Sequence, residues 1–376
     1  MSEFGTHSED ELPTLHAILE RSARSALDFQ QQDGSFPAGR NYTYDEPETP
    51  VRTTAHWILT LSKVYDITGD DEFKRAANAA VDFLLGSEAR PHDYTFHCRN
   101  ASGKDKCNGL VGQSTPIEAL IQAGDLLNRQ DAIETAEEVF LLHPFDDRLG
   151  LWERVEINGD ILSSDRTLNH QLLFAARSAK LATRSTLVAE RITRFLTRLE
   201  TNMRLHPDGL IKHYVRPSPT DTIKTVVQRP RHYEMVLNEL VFHYYSRSDE
   251  RRRKERGYHT VNLSALSQLK QSFESHSLWR TGTIDRSLAF LVENKANIIS
   301  KENTKHGSIL PGIETAKIVD SFTDSDTTQI AQLVSRDLCR YLNWDSYLLQ
   351  SAELDKHNQM ALISELTKLP NIRIEC

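Results

Sequence analysis

The sequence predicts an all-α fold, a ring of alternating inner and outer helices with short β-hairpins in the connecting loops. Several segments are apolar almost all round, and each is followed by a segment with a single apolar stripe. A helix without a polar face is buried on both sides, whereas one apolar stripe marks a helix that covers another. The alternation therefore indicates helical hairpins arranged in a ring, each outer helix shielding an inner one.

The predicted inner helices are Thr53 to Tyr65, Gly112 to Leu127, Leu168 to Ala182 and a weaker segment, Thr260 to Leu269. The predicted outer helices are Asp71 to Leu85, Asp131 to Leu142 and Thr186 to Met203. In the last third we predict helices near 286–291, 313–320 and 327–341, and a tail helix over 345–368. No boundary separates these segments, so we predict one domain over residues 1–376, with residues 1–10 disordered.

The connections between the predicted helices are of two kinds. Those within a pair are short; the link from Ile67 to Asp71 carries Gly69 as a helix stop and Asp70 or Asp71 as the next cap. Those between pairs are long, at 86–108, 144–166 and 206–256. Loops longer than about 15 residues in a compact domain are usually functional or disordered.

Composition restricts the class of protein. A net charge of −8 and a pI near 6.0 argue against a general nucleic-acid binder, which is usually basic. No apolar run approaches the roughly 20 residues of a membrane span, and the acidic N-terminus lacks a signal core. We therefore predict a soluble, cytoplasmic protein without a transmembrane segment and without nucleic acid as a partner.

The four cysteines are too few for a disulfide scaffold. His97, Cys98 and Cys107 would begin a zinc site, but no clear fourth ligand follows at a standard spacing. The sequence therefore predicts no metal and no cofactor.

The segment from Gly150 to Gln171 is the most informative part of the chain. Asn158 and Gly159 tolerate positive φ, so the pair predicts a hairpin with a type I′ turn. The hairpin leads into a buried helix whose first turn carries Asn169, His170 and Gln171. Polar residues there must find partners, either protein or substrate, although Asn169 also serves as an ordinary cap.

Four residues are candidates for catalysis. Glu153, on the hairpin, and Asp165, after it, are candidate acids because glycoside hydrolysis generally uses paired carboxylates. His170 and His259 are candidate acid–base groups, since histidine titrates near neutral pH. Ordinary interhelical hydrogen bonds would explain both histidines equally well.

Several residues are candidates for holding an acidic sugar. Arg52 and His56 are spaced i, i+4 and share a helix face, where a carboxylate would bind. Lys212 and Tyr214 share one side of a predicted strand, and His213 faces away. The alternative is a solvated strand and a structural arginine.

The remaining candidates would stack on or bond to sugar rings. Trp152 lies on the hairpin strand, and Tyr258 and Asn262 form another i, i+4 pair. Asp33 lies at the rim of a toroid, although an Asp-Gly turn explains it as well. Glu314 lies at the start of a predicted helix and is a third candidate carboxylate. Its position is more typical of a residue that interacts favourably with the helix dipole than of a catalytic acid.

Six short segments carry a resemblance to a known group, from about Asp33 to Glu314. They are NGLVGQ at 108–113, LHPFD at 142–146, GLWE at 150–153, LNHQ at 168–171, DGLIKHY at 208–214 and GYH at 257–259. The chain resembles the archaeal AglQ proteins of N-glycosylation gene clusters and is similar to polysaccharide-biosynthesis proteins of the VpsJ type. The resemblance implies an (α/α)6 toroid like that of glycoside hydrolases and uronate-handling enzymes, and makes Asn108 and Gln113 candidate substrate-binding residues.

The same resemblance implies an enzyme that processes a hexuronate-containing glycan during assembly of a surface or N-linked glycan. Hydrolysis is the first choice; C5 epimerisation, a lyase reaction and a non-catalytic scaffold for a glycosyltransferase are alternatives. The expected partner is an acidic oligosaccharide or a lipid-linked glycan, which the basic run from Arg251 to Arg256 would attract. The sugar, its linkage and the oligomeric state do not follow from the sequence.

Overall fold

The computed structural model describes residues 12–41, 44–229, 232–233, 235, 248–298, 310–323, 326–350 and 355–376. In these residues the helices, numbered in chain order, are α1 (Leu15–Leu27), α2 (Pro50–Thr68), α3 (Asp71–Leu85), α4 (Gly109–Leu127), α5 (Gln130–Leu142), α6 (Leu168–Ser178), α7 (Thr186–Asn202), α8 (Pro219–Gln228), α9 (Asp249–Ser272), α10 (Gly282–Ile298), α11 (Pro311–Phe322), α12 (Thr327–Tyr341) and α13 (Lys356–Ala361). Three 3₁₀ segments complete them: Ala179–Thr183, Ser277–Arg280 and Leu362–Lys368. The prediction for residues 1–10 lies outside the described residues.

The buried helices contact one another in a closed order. Helix α2 packs on α4, α4 on α6, α6 on α9, and α9 on α11. The 3₁₀ segment Leu362–Lys368 contacts both α11 and α2, so the order returns to its start. Burial explains why the inner helices lack a polar face: in α4, even Gln113, Ser114 and Glu118 are buried.

A second set of helices covers the first. Helix α3 packs on α2, α5 on α4, α10 on α9 and α12 on α11. Helix α7 packs on the Ala179–Thr183 segment that continues α6, and α1 packs on α2 and on the Leu362–Lys368 segment. The predicted alternation of inner and outer helices is therefore present in the contacts.

The strands are short and lie in the loops. They are β1 (Arg40–Asn41), β2 (Glu46–Pro47), β3 (Phe145–Asp146), β4 (Leu151–Val155), β5 (Ile161–Ser164), β6 (Leu342–Asn343) and β7 (Leu348–Leu349). Strands β3, β4 and β5 form an antiparallel sheet in that order, which confirms the hairpin at 150–166. The predicted type I′ turn is wrong: Gly159 has φ of 86°, but Asn158 is not among the residues with positive φ.

Two further predictions of local structure are wrong. The segment 345–368 is not one helix, because β6 and β7 pair across 344–347 and only α13 and a 3₁₀ segment follow. The connection predicted over 206–256 contains α8 and the first two turns of α9. Ser248 caps α9 by accepting a hydrogen bond from the Arg251 amide, so the basic run belongs to a helix.

A disulfide joins Cys339, in α12, to Cys376 at the end of the chain, with the two Cα atoms 5.3 Å apart. The backbone amide of Ile374 also donates to Pro13, and that of Glu375 donates to Ser335. These contacts hold the end of the chain against α12 and against the residues that precede α1.

Candidate active site within the ring of helices

A cavity of about 740 Å³ runs through the ring. At one end, here called the front, its lining residues come from the loops and first turns of the inner helices: Asn41, Tyr44, Arg52, Arg99, Lys104, Asn108, Asn169, His170, His213, Tyr214, Lys254 and Tyr258. At the other end, the rear, they come from the last turns: Lys180, Gln271, Ser272 and Asp320. Exposed residues occur in both sets, so the cavity reaches the surface at each end.

Asp165 and His170 form a dyad at the front of the cavity. His170 lines the cavity from the first turn of α6, and its Nδ1 lies 2.9 Å from Asp165 Oδ2. The backbone amide of Thr167 donates to Asp165 Oδ1 at 3.0 Å. Burial raises the pKa of Asp165, but the charge of His170 and these hydrogen bonds outweigh it and lower the pKa to about 2. Asp165 is therefore anionic and fixes the orientation of the His170 ring.

His213 lies beside this dyad. The backbone amide of Leu168 donates to the His213 carbonyl at 2.9 Å, and Tyr214 pairs with Thr167, so the segment is held against the start of α6. His213 is 6% exposed and lines the cavity, and its Nδ1 has no hydrogen-bond partner among the residues that the structure describes. Burial and the charge of Lys254 lower its pKa well below the usual value, so the ring is neutral at pH 7.

Aromatic rings form one wall of the front half. The His213 ring centroid lies 4.8 Å from that of Tyr214 and 5.2 Å from that of Tyr258. Burial raises the pKa of Tyr258 to about 12, so its phenol is protonated at neutral pH. Such a wall offers ring faces for stacking and a phenol as a hydrogen-bond donor.

Two cations face the same space. Arg52 Nη1 lies 3.0 Å from Glu48 Oε1, so part of its charge is already compensated. Lys254 Nζ lies 3.4 Å from the Tyr44 hydroxyl and 5.9 Å from the centre of the Tyr258 ring. Within the described residues no carboxylate lies in ion-pair range of Lys254, which leaves it available to an anionic ligand.

Asn108 and Gly109, at the start of α4, both have positive φ, 55° and 57°. A Cβ on Gly109 would lie 3.1 Å from Asp165 Oδ2. We expect Gly109→Ala to lower the free energy of unfolding by about 1–2 kcal/mol, because L-residues are strained in the left-handed region. Urea denaturation measures this, with Gly282→Ala as the control, since a Cβ at Gly282 meets nothing within 4 Å. Equal stability of the two variants would contradict the argument.

The structure brings many of the predicted residues together and places others elsewhere. Those that line the cavity are Arg52, Asn108, Asn169, His170, Tyr214, Tyr258 and Glu314. The Asn169 side-chain oxygen is buried and, within the described part of the chain, has no hydrogen-bond partner, so Asn169 does not act as a helix cap. Asp165 lies directly behind His170.

Glu153 and Trp152 do not reach the cavity. Glu153 is fully buried, with Oε1 2.9 Å from Arg229 Nη1 and 3.2 Å from His232 Nε2. Trp152 is fully buried against the rings of Phe140, Phe145, Phe174 and Phe195. Their location corrects the expectation that the hairpin strand presents them to substrate: one face of β4 packs on the core and the other on the residues after α8.

Four more candidates are buried in protein contacts outside the cavity lining. His259 hydrogen-bonds the Ser287 carbonyl and the Ile211 amide, and Asn262 lies one turn further along the same helix. His56 Nδ1 lies 2.7 Å from Ser364 Oγ. Gln113 donates to the Phe96 and Cys107 carbonyls and accepts from the Phe96 amide, so it ties the loop before α4 to that helix.

Asp33 and Lys212 also lie away from the cavity. Asp33 accepts from the amide and hydroxyl of Ser35, which is the ordinary turn. Lys212 is outside the lining, whereas both His213 and Tyr214 are in it; residues 211–214 alternate in burial but pair through isolated bridges rather than as a regular strand. His213 and Lys254 are thus functional candidates that the sequence did not select; the nearest signal was the basic run at 251–256.

The described residues were also compared with what metal binding and membrane insertion require. Among the described residues, no group of three or more His, Cys, Asp or Glu side chains is arranged to hold a metal ion. Nor does any helix there combine the length and the apolar character that crossing a membrane requires.

Solved structures with the same fold include three sugar-converting enzymes. Cellobiose 2-epimerase from Bacillus thermoamylovorans aligns with a TM-score of 0.64 at 10% identity, over 94% of this chain and 99% of that one. D-Mannose isomerase aligns with a TM-score of 0.61 at 12% identity, over 97% and 99%. An unsaturated glucuronyl hydrolase specific for heparin aligns with a TM-score of 0.58 at 10% identity, over 94% and 95%. At these identities the likeness establishes the fold.

The family to which the chain belongs is shown by sequence similarity rather than by structure. No protein-family model matches the chain. Archaeal glycosylation protein Q of Haloferax volcanii is 38% identical over 369 residues, which cover 96% of this chain and 99% of that protein. The chain therefore belongs to the archaeal glycosylation protein Q family, which confirms the resemblance carried by the six short segments.

Proposed function

We propose that this protein is an (α/α)6-toroid enzyme that processes a hexuronate-containing glycan in surface-glycan or N-glycan assembly, and that it moves a proton at carbon. The Asp165–His170 dyad at the front of the cavity is the observation that carries the proposal. A buried carboxylate that orients a histidine facing an open cavity is an arrangement suited to acid–base work. The family and the fold support a glycan as the substrate.

Proton transfer fits the cavity better than the hydrolysis favoured by sequence. Hydrolysis generally needs two carboxyl groups on either side of the glycosidic bond. Glu153 is buried outside the cavity, and Asp165 is turned towards His170. Of the other carboxylates that line the cavity, Glu48, Glu118 and Glu365 are each paired with a cation, and Glu314 and Asp320 lie on α11, whereas the dyad lies at the start of α6.

The proposed chemistry removes the C5 proton of a uronate residue. Lys254 and Arg52 bind its carboxylate, which stabilises the negative charge that develops when the proton leaves. His170, held by Asp165, accepts that proton. Return of a proton from the opposite face, by His213 or Tyr258, gives epimerisation; departure of the group at C4 with the C4–O electrons gives elimination.

The experiment is incubation of the protein with glucuronate- and galacturonate-containing oligosaccharides in D₂O, followed by NMR and mass spectrometry. Deuterium at C5, or an unsaturated uronate, is the expected result. A new reducing end with neither deuterium at C5 nor an unsaturated uronate would identify a hydrolase and reject proton transfer. Binding by calorimetry without any product would identify a scaffold.

Lys254 gives a prediction about substrate charge. We expect Lys254→Met to weaken binding of a uronate oligosaccharide about 10- to 100-fold, because a hydrogen bond to a charged group contributes about 1.5–3 kcal/mol. The affinity for a neutral oligosaccharide of equal length should change little. Calorimetry measures both, and Arg253→Met, at an exposed position of the same helix, is the control. Equal losses for acidic and neutral sugars would remove this assignment.

A further inference from the structure

Five charged side chains meet in the rear half of the cavity, and all five line it: Glu118, Arg177, Lys317, Glu365 and Lys368, here called the charged belt. Arg177 Nε lies 3.2 Å from Glu118 Oε2, and Arg177 Nη2 lies 3.4 Å from Glu365 Oε1. Lys368 Nζ lies 2.8 Å from Glu118 Oε1 and 3.5 Å from Glu365 Oε2. Lys317 pairs with Glu365. The belt thus joins α4, α6, α11 and the Leu362–Lys368 segment across the cavity.

The belt is separate from the Asp165–His170 dyad. His170 and Arg177 lie seven residues apart on α6, about 10 Å along the helix axis. Lys180 and Asp320, which line the rear rim, each lie three residues beyond a belt residue, so the belt is about one helical turn inside that rim. Ligand groups at the belt and at the dyad would therefore occupy different parts of one cavity.

The belt carries more positive than negative charge. It contains three cations and two carboxylates, and the cations lower the pKa of Glu118 and Glu365 despite burial, so both are ionised. His56, adjacent to the belt, is neutral at pH 7 because burial and Arg177 lower its pKa well below the usual value. At the rear rim the positive charge of Lys180 and the negative charge of Asp320 cancel in the charge count. Glu314 lies about one helical turn from Lys317, nearer the front of the cavity.

Lys317 supplies the excess charge and unused donors. It is 9% exposed, and an ammonium group has three N–H donors, of which Glu365 takes one. Removing Lys317 would leave Glu365 in contact with Arg177 and Lys368. A buried, uncompensated positive charge is unfavourable unless an anion pairs with it.

We propose that the charged belt is a second binding site, which takes an oxyanion, either a carboxylate or a phosphate, with Lys317 as its principal donor. The anion completes the charge balance of the belt. If it is a carboxylate, it belongs to a second acidic residue of the glycan; if it is a phosphate, it comes from a phosphorylated ligand or from free phosphate. The site does not require the proposed proton transfer.

The test measures the melting temperature of the whole protein with inorganic phosphate, with glucuronate and with chloride at matched ionic strength. Phosphate or glucuronate is expected to raise the melting temperature more than chloride does, because a ligand that binds only the folded state stabilises it. In Lys317→Met the phosphate response is expected to disappear, and the glucuronate response is expected to fall to the part that Lys254 and Arg52 contribute at the front of the cavity. Lys180→Met removes the same charge from the exposed rim and should keep the wild-type response.

The possible outcomes distinguish a carboxylate from a phosphate as the bound anion. They also include the results that would overturn the second binding site. A response to glucuronate alone that Lys317→Met reduces assigns the belt to the glycan, and a response to phosphate alone that Lys317→Met abolishes assigns it to a phosphate group. No response in the wild-type protein, or the same response in Lys317→Met, overturns the proposal. Because turnover is not measured, failure here leaves the proton-transfer proposal to its own D₂O experiment.

Discussion

Replacing Asp165 with asparagine is expected to lower kcat by about 10²- to 10⁴-fold, the range that general acid–base groups contribute. The carboxylate accepts a hydrogen bond from His170 Nδ1 at 2.9 Å, so that Nε2 is left as the proton acceptor. An asparagine amide can donate to Nδ1 instead and hold the wrong tautomer. KM should change little, since Asp165 lies behind His170 and is outside the cavity lining.

The matched control for this prediction is Asp160→Asn, on the exposed tip of the same hairpin. It makes the same chemical change 5 residues away and should keep full kcat. His170→Gln should lose as much activity as Asp165→Asn, and the double variant should lose little more, because the two residues act as a unit. Independent, additive losses would contradict the dyad, and so would full activity in Asp165→Asn.

The same carboxylate predicts a dependence of stability on pH. Its pKa of about 2 in the folded protein lies below the usual carboxyl pKa of 3.8. A lowered carboxyl pKa stabilises the fold above the unfolded value, and this contribution is lost as the pH falls from about 4 to 2. Asp165→Asn should therefore flatten the acid limb of a plot of unfolding free energy against pH.

The elements that sequence predicted well are those whose pattern reflects burial on one or both sides. Helices α2 and α4 have apolar residues on every face because inner neighbours and outer helices enclose them. The hairpin could be predicted from the sequence because its turn contains Gly159, which has a positive φ. The burial of its side chains could not be predicted in the same way. Alternation shows that Trp152 and Glu153 lie on opposite faces of the strand, but it does not show that both faces are buried.

Long-range contacts account for the rest of the site. His213 reaches the cavity because the His213 carbonyl accepts from Leu168, 45 residues earlier in the chain, and no local pattern encodes that pairing. The sixth inner position is filled by the Leu362–Lys368 segment, which is too short and too polar to resemble the other inner helices. It occupies that position through Glu365 and Lys368, whose partners lie on α4, α6 and α11.

Replacing Glu365 with glutamine is expected to lower the free energy of unfolding by about 3–5 kcal/mol, the cost of removing one partner from a buried ion pair. Arg177 and Lys368 would then keep Glu118 as a partner, whereas Lys317 would lose the carboxylate with which it pairs, in a poorly solvated space. Urea denaturation measures the loss. Glu134→Gln, an exposed position on α5, makes the same substitution and should be nearly neutral.

The origin of that loss is testable with a second substitution. If uncompensated positive charge is the cause, Lys317→Met in the Glu365→Gln background should restore part of the stability, whereas a packing defect would make the two changes add. Since the pKa of Glu365 lies well below 4.5, its contribution is complete above about pH 4.5 and is lost as the pH falls towards its folded-state pKa. The difference between wild type and Glu365→Gln should therefore shrink in acid. A difference that stays constant with pH would contradict the electrostatic assignment of Glu365.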